Sequence, residues 1–129
     1  MIKTIIIDDE PAAIEILERY AQKVPFIDLK KSFFSTAEAL AYLHKETIDL
    51  LFLDIQMPDM LGTDFARLIQ SKPIQVVLTT AYSEYAVEGF NLQVLDFLIK
   101  PIEFFRFYKP VIVHTSAQVL QRANKPVFL

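Results

Sequence analysis

Five stretches of apolar residues divide the chain at regular intervals and predict its strands. The third stretch contains Leu50-Leu51-Phe52-Leu53, a continuous rather than alternating run, which is typical of a parallel strand buried on both faces. The first and fourth are rich in β-branched residues, which favour extended backbone. The predicted strands cover residues 4–7, 27–33, 48–54, 75–80 and 94–99.

The segments between the first three strands show helical spacing instead. Pro11 suits the first turn of a helix, and the apolar residues after it recur at helical intervals as far as Pro25: Ile14, Leu17, Ala21 and Val24. A second helix begins at Ser35-Thr36-Ala37-Glu38, which has the form of a capping box, and it continues through Leu40 and Leu43 towards Lys45.

Two further helices are predicted in the second half of the chain. The third begins at Thr63 or Asp64, and its expected inner face consists of Phe65, Leu68 and Ile69. A short fourth helix covers residues 83–90, with Ser83 as its cap and Gly89 weakening it. We interpret the acidic charge at Asp59 and Asp64 as a solvated loop and helix start.

The C-terminal part of the chain breaks the pattern. A last helix is expected from near Glu103, but Pro110 would remove one helical hydrogen bond at a cost of about 3 kcal/mol, and a β-branched run follows it. The pattern predicts a helix that is either kinked at Pro110 or broken there and restarted near Ser116. We expect residues 1–122 to form one domain, and residues 123–129 to be a tail or the start of a linker.

Alternating strands and helices at this spacing predict an α/β fold. The length and right-handed crossovers favour a flavodoxin-like, doubly wound, five-stranded parallel sheet of (βα)5 type in the order 2-1-3-4-5. Ligands of such sheets bind beyond the carboxyl ends of the strands, where the strand order reverses. Five polar side chains are expected on that rim: Asp8, Asp9, Asp54, Thr80 and Lys100.

Composition narrows the chemistry. The 129 residues include no cysteine, which excludes disulfides and thiolate metal sites. No apolar run reaches the roughly 20 residues that span a bilayer, and no basic cluster offsets the net charge of −3. We therefore expect a cytoplasmic protein with no membrane partner and no direct contact between this chain and nucleic acid.

The expected rim chemistry is phosphoryl transfer. Three neighbouring carboxylates require a proton or a cation, and an all-oxygen donor set suits Mg²⁺. Asp54 can then act as a nucleophile towards phosphorus and form an acyl phosphate. Lys100 would screen the charge of the transferring group, and Thr80 would donate a hydrogen bond to one of its oxygens.

Four motifs identify a resemblance that spans about residues 1–105. They are Ile7-Asp8-Asp9-Glu10-Pro11, Leu53-Asp54-Ile55-Gln56-Met57-Pro58-Asp59-Met60-Leu61-Gly62, Thr79-Thr80-Ala81-Tyr82 and Phe97-Leu98-Ile99-Lys100-Pro101. In this order and spacing they resemble the receiver domains of two-component response regulators. The residues after Thr80 and after Lys100 look most like receivers that precede a LytTR-type DNA-binding domain.

The resemblance implies a role for each matching residue. Asp54 would accept a phosphoryl group from a sensor histidine kinase. Asp9, Asp54 and the Gln56 carbonyl would hold Mg²⁺, with Asp8 at or just outside the metal shell. The remaining roles concern signalling and are implied as follows: Thr80 as switch hydroxyl, Phe97 as switch aromatic, Lys100 as the phosphate-contacting lysine with a cis bond to Pro101, and Gln56 and Tyr82 as residues that tune phosphate lifetime.

The resemblance also implies how the signal leaves the domain. Phosphorylation would repack the face formed by the predicted fourth helix, the fifth strand and the last helix, and would promote homodimerisation. DNA would be bound only through an effector domain. The chain would be a signalling domain rather than an enzyme, its chemistry limited to self-catalysed phosphotransfer and autodephosphorylation.

Several alternatives stay open. The chain could be a freestanding receiver rather than a fragment of a longer regulator. A Mg²⁺-dependent phosphatase with an aspartyl nucleophile is disfavoured, because such enzymes pair carboxylates as Asp-x-Asp after the first strand, whereas this chain has adjacent Asp8-Asp9. A phosphorylation-independent interaction module is a third alternative. We expect His44 and His114 to be ordinary surface or partly buried residues.

Overall fold

The computed structural model describes the backbone of residues 1–82 and 93–123, and side chains as far as residue 114. These residues form five strands: β1 (Ile2–Ile7), β2 (Ile27–Phe33), β3 (Leu50–Asp54), β4 (Gln75–Thr80) and β5 (Asp96–Ile99). The described helices are α1 (Pro11–Gln22), α2 (Thr36–Lys45), α3 (Gly62–Leu68) and a C-terminal helix (Phe104–Ala123). The predicted fourth helix, residues 83–90, lies outside the described residues.

All pairings in the sheet are parallel, and the strand order is β2-β1-β3-β4-β5. The predicted flavodoxin-like α/β fold and its 2-1-3-4-5 order are therefore confirmed. The order reverses between β1 and β3, which pair directly and bring Ile7 opposite Leu53. The residues that follow these two strands must then lie side by side at one edge.

The central strands are buried on both faces, and each face supports its own core. On one face, β1 and β3 contribute Ile5 and Leu51 to a core shared with α2 and α3. On the other face, Ile6 and Phe52 pack with α1 and the C-terminal helix. Every residue of β3 is buried, which explains why its sequence is continuously apolar rather than alternating.

Helix starts largely follow the sequence signals. The Ser35 hydroxyl accepts a hydrogen bond from Glu38 N at 3.2 Å, so the predicted cap of α2 is confirmed. Pro11 occupies the first position of α1 as predicted. Phe65 in α3 and Ile69 directly after it are buried as expected, but the prediction for Leu68 is wrong: it is 57% exposed. The short helix turns Phe65, Ala66 and Ile69 towards the core, and Leu68 lies on the flank between them and solvent.

The C-terminal helix is continuous from Phe104 to Ala123, so the prediction of a break at Pro110 with a restart near Ser116 is wrong. Pro110 itself is buried, and the neighbouring Phe107 and Val111 are fully buried against the sheet. This packing offsets the roughly 3 kcal/mol that an interior proline costs a helix. Within the described part of the chain, no helix combines the length and the apolar character needed to cross a membrane.

Candidate functional site

The carboxyl ends of four strands meet at one rim of the sheet. Asp54 is the last residue of β3 and pairs with Thr79, while Thr80 ends β4 opposite Ile99. Asp8 directly follows β1, and Lys100 directly follows β5. Parallel pairing thus brings together side chains that are up to 92 positions apart in the sequence, between Asp8 and Lys100.

Four carboxylates share this rim. Asp8 and Asp54 are buried, whereas Asp9 and Glu10 are exposed, and one oxygen of each lies within 4.8 Å of one oxygen of every other. Glu10 is absent from the set expected from the sequence. Its position in the uninterrupted Asp8-Asp9-Glu10 run was the available signal, since residues that directly follow a strand stay near its end.

Lys100 is the cation that faces these acids. Its Nζ lies 2.9 Å from Asp8 Oδ2, 3.4 Å from Asp54 Oδ2 and 3.5 Å from Glu10 Oε1. Burial acts to lower the pKa of Lys100, but the adjacent carboxylates of Asp8, Asp54 and Glu10 outweigh it, so the pKa is raised and the ammonium form is held.

The segment after Lys100 is fixed from two directions. The Lys100–Pro101 peptide bond is cis, as the resemblance implied. Two residues after Lys100, the carbonyl oxygen of Ile102 accepts a hydrogen bond from the Tyr20 hydroxyl at 2.7 Å, which ties this loop to α1. The ammonium group therefore extends into the acidic cluster from an anchored backbone.

Asp54 carries the most perturbed carboxyl group on the rim. Burial and, after it, the neighbouring charge of Asp8 raise its pKa, Lys100 and the Gln56 N–H oppose the rise, and the resulting pKa is about 6. The Gln56 amide donates to Asp54 Oδ1 at 3.2 Å. Two buried carboxylates against one ammonium leave an excess of negative charge, which makes this carboxylate costly to ionise without a further cation.

The backbone after Asp54 is packed tightly against it. Gly62 N donates to the Ile55 carbonyl oxygen at 2.7 Å, and a Cβ on Gly62 would lie 2.4 Å from the Asp54 carbonyl oxygen. The φ angle of Gly62 is not positive. Close approach, rather than backbone freedom, therefore requires glycine here.

The expected switch and tuning residues surround this centre. Thr80 is fully buried, and its Oγ1 accepts a hydrogen bond from Tyr82 N at 3.1 Å. Gln56, two residues after Asp54, and Tyr82, two residues after Thr80, have exposed side chains, and Phe97 is half-buried against the core shared by α2 and α3. His44 is exposed on α2, whereas His114 is buried far along the C-terminal helix. Neither histidine is among the acidic cluster.

The donor set of the cluster fits a hard divalent cation. All four groups offer carboxylate oxygens, and two of them remain accessible from solvent. Mg²⁺ prefers oxygen donors and retains water in its shell, which suits a site that is half buried and half open. The pocket is therefore compatible with Mg²⁺.

Comparison with known proteins agrees with this arrangement. The sequence matches the family described as response regulator receiver domain over residues 4–117. It is 35% identical to the transcriptional regulatory protein BtsR of Escherichia coli K12 over 127 residues, which are 97% of this chain and 51% of BtsR. It is 34% identical to the sensory transduction protein LytR of Staphylococcus haemolyticus over 84% of this chain and 43% of that protein. The chain thus spans about half the length of the curated relatives that it matches.

A solved structure extends the likeness to three dimensions. The response regulatory domain of protein mrkE from Klebsiella pneumoniae superposes with a TM-score of 0.83 at 30% identity, covering 90% of this chain and 97% of that one. The resemblance to receiver domains, inferred from four motifs, and to those of LytR-like regulators, inferred from the residues after Thr80 and after Lys100, is confirmed by these relatives. The chain belongs to the response regulator receiver domain family.

Proposed function

We propose that this receiver domain takes a phosphoryl group from a sensor histidine kinase onto Asp54 and uses it to control dimerisation. The observation that supports this most directly is the pairing of a buried carboxylate with an ammonium group 3.4 Å away, inside a cluster of four acids. Among the described residues, no histidine lies in that cluster, so its candidate nucleophiles are carboxylates. Asp54 is the one at the position that the resemblance to receiver domains assigns to the phosphoacceptor.

Within this proposal, Asp9, Asp54 and the Gln56 carbonyl would hold Mg²⁺, with Asp8 at or just outside its shell. The bound ion supplies positive charge beside the phosphoryl group. A carboxylate oxygen of Asp54 attacks phosphorus, the P–N bond of the donor phosphohistidine breaks, and the departing imidazole nitrogen takes up a proton. The Lys100 ammonium stabilises negative charge on the phosphoryl oxygens during transfer.

The proposed switch begins at Thr80. Its Oγ1 accepts from Tyr82 N in the unphosphorylated domain. A phosphoryl group on Asp54 offers three new acceptor oxygens, and Thr80 would turn to donate to one of them. Phe97, half-buried on the adjacent strand, would move inwards, and Gln56 and Tyr82 would set how readily water reaches the phosphate.

An exposed apolar surface supports dimerisation through β5 and the C-terminal helix. Ile99 lies on the edge strand, and the outer side of the helix exposes Phe105, Ile112 and Val113. Phe105 is 73% exposed, which is unusual for so large an apolar side chain. A second copy of the chain would bury this surface when phosphorylation repacks the face.

The proposed output is a LytTR-type DNA-binding domain outside the present sequence, with residues 1–122 as the receiver. This rests on the relatives, which are about twice as long as the chain and include a protein named as a transcriptional regulator. The alternative is a freestanding receiver that acts through its partner proteins alone. In either case the domain is a signalling device in the cytoplasm and not a conventional enzyme.

Intact-mass analysis tests the phosphoacceptor. The protein is incubated with acetyl phosphate in the presence and absence of Mg²⁺, alongside Asp54→Asn and the control Asp64→Asn, whose carboxylate pairs with the exposed Arg67 in α3. We expect one phosphoryl group on the wild type and on the control, dependent on Mg²⁺, and none on Asp54→Asn. Labelling of Asp54→Asn at the wild-type rate would reject Asp54 as the acceptor.

Sedimentation velocity tests the dimer surface. Phe105→Lys should remain monomeric after phosphorylation, whereas Phe34→Lys, which places the same charge at an exposed phenylalanine beyond β2, should dimerise like the wild type. Thr80→Ala should take up phosphate without dimerising. Undiminished dimerisation of Phe105→Lys would move the interface to another face.

A further inference from the structure

Asp59 forms a contact that its position in an exposed loop does not suggest. Its Oδ2 accepts hydrogen bonds from the first two amides of α2, Thr36 N at 3.1 Å and Ala37 N at 3.2 Å. The next amide, Glu38 N, donates to Ser35 Oγ. Asp59 is exposed in the loop, as expected for a solvated charge, but its carboxylate also binds the positive end of a helix that lies 22 residues earlier.

The same loop is tied to the phosphoacceptor at its other end. It begins at Asp54, whose Oδ1 accepts from Gln56 N, and it closes where Gly62 N donates to the Ile55 carbonyl oxygen at 2.7 Å. Met57 is buried between these points in the core that α2 also shares. The loop thus has one anchor on β3 and a second on α2.

The second anchor joins an exposed carboxylate to backbone donors at the start of α2. A hydrogen bond with the Thr36 side chain, followed by those from the Ala37 and Thr36 amides, lowers the pKa of Asp59, so the carboxylate is ionised throughout the neutral range. Charge-assisted bonds from backbone amides to an ionised cap are stronger than neutral ones. Thr36 is itself buried, which fixes the position of the donor.

We propose that Asp59 is a positioning residue for the phosphoacceptor site, holding the loop so that the Gln56 carbonyl and the Asp54 carboxylate stay in register for the cation. The inference rests on the proposed function. The loop then links Asp54 to α2 mechanically, because any displacement of the loop on phosphorylation is transmitted to the start of α2. The surface around the start of α2 thereby responds to phosphorylation of Asp54.

A matched pair of variants separates this role from simple helix capping. Asp59→Ala removes an acceptor from the start of α2 and also releases the loop. Ser35→Ala removes another acceptor from the same helix start but leaves the loop attached. Asp59→Asn keeps an acceptor oxygen at the original position without the charge.

Two readouts apply to all three variants: the Mg²⁺ dissociation constant by calorimetry, and the rate of labelling by acetyl phosphate at saturating Mg²⁺. We expect Asp59→Ala to weaken Mg²⁺ binding and slow labelling at least fivefold, and Asp59→Asn to recover most of both. Ser35→Ala should lower the melting temperature yet stay within twofold of the wild type in both readouts. Equal effects of Asp59→Ala and Ser35→Ala, or no effect of either, would overturn the proposal.

Amide hydrogen exchange provides a readout that does not depend on phosphorylation. Asp59→Ala should accelerate exchange at Gly62 N at least tenfold, and Ser35→Ala should not. If the wild type neither binds Mg²⁺ nor takes up phosphate, the proposed function fails, but this comparison still decides whether Asp59 orders the loop. Unchanged exchange at Gly62 in Asp59→Ala would overturn the positioning role by itself.

Discussion

At the edge where the strands end, four carboxylates and one lysine share a pocket, whereas at the edge where they begin, the buried titratable side chain is His114. It lines a cleft of about 310 Å³ together with Asp49, Lys72 and Gln75. Asp49 there accepts from Lys3 N at 2.9 Å, and its carbonyl oxygen accepts from Gln75 N at 3.0 Å. The strand starts are thus joined by hydrogen bonds to the backbone, while the strand ends keep charges that the protein does not balance.

The difference shows that the protein loses stability at the edge where the strands end, which is the edge that carries the proposed function. At the edge where the strands end, burial makes the Asp54 carboxylate costly to ionise, and a bound cation can neutralise its negative charge. At the other edge, burial lowers the pKa of His114, opposed by the charge of Asp49, so its imidazole is neutral at pH 7. Substitutions at the two edges should therefore change stability in ways that differ in size and in pH dependence.

The largest expected effect comes from Gly62→Ala at the charged edge. The new Cβ would lie 2.4 Å from the Asp54 carbonyl oxygen and 2.8 Å from Ile55 Cα, both backbone atoms that cannot rotate away. We expect a loss of at least about 3 kcal/mol in the free energy of unfolding, measured by urea denaturation. Ser71→Ala, in the exposed turn after α3, is the control and should change it by less than about 0.5 kcal/mol. Wild-type stability of Gly62→Ala would mean that the loop does not press against Asp54.

Asp54→Asn should instead increase the free energy of unfolding. The folded-state pKa of Asp54, about 6, lies above its ordinary value of 3.8, so ionisation destabilises the fold fully above pH 6 and not at all below about 4. Without Mg²⁺ at pH 7.5, we expect Asp54→Asn to be more stable than the wild type by between about 1 and 3 kcal/mol. The gain should shrink as pH falls from 6 to 4, and also when Mg²⁺ is added.

Thermal unfolding across this pH range, in chelator and in Mg²⁺, measures that gain. Asp64→Asn, in its exposed pair with Arg67, controls for the loss of one negative charge. A wild type more stable than Asp54→Asn in chelator at pH 7.5 would show that Lys100 already neutralises the cluster.

The charged edge could be predicted from the sequence because topology alone determines it. Once the strand order follows from the pattern, Asp8 and Asp54 must be neighbours whatever the detailed packing. Asp59 could not be found in this way, since nothing near it in the sequence indicates contact with α2. Of the two outcomes predicted at Pro110, a kink and a break, the break is wrong, because the burial of Phe107 and Val111 outweighs the local backbone preference.

His114→Leu tests how much the buried imidazole lowers stability at the edge where the strands begin. His114 is only 6% exposed, and its Nε2 has no hydrogen-bond partner among the described residues. An apolar side chain of similar size removes that unsatisfied atom, and we expect a gain of about 1 kcal/mol at pH 7.

The pH dependence of this gain identifies its origin. Because the folded-state pKa of His114 is lowered, the unfolded chain binds the proton more readily, so wild-type stability falls as pH drops below 6.5. The advantage of His114→Leu should therefore grow between pH 7 and pH 5. His44→Leu, on the exposed side of α2, is the control for removing an imidazole from the chain. A constant difference between His114→Leu and the wild type would mean that the imidazole gains a partner when protonated.

Asp49→Asn is the smallest change and the sharpest test of what faces that imidazole. An asparagine oxygen can still accept from Lys3 N, so stability should change by less than about 0.5 kcal/mol. The charge of Asp49 opposes the effect of burial on His114, and its removal should lower the pKa of His114 further. Imidazole chemical shifts followed through a pH titration measure this directly, with His44 in the same spectra as a reference. An unchanged pKa would show that burial alone keeps His114 neutral. The charge of Asp49 would then have no effect on His114, in contrast to the charges that surround Asp54.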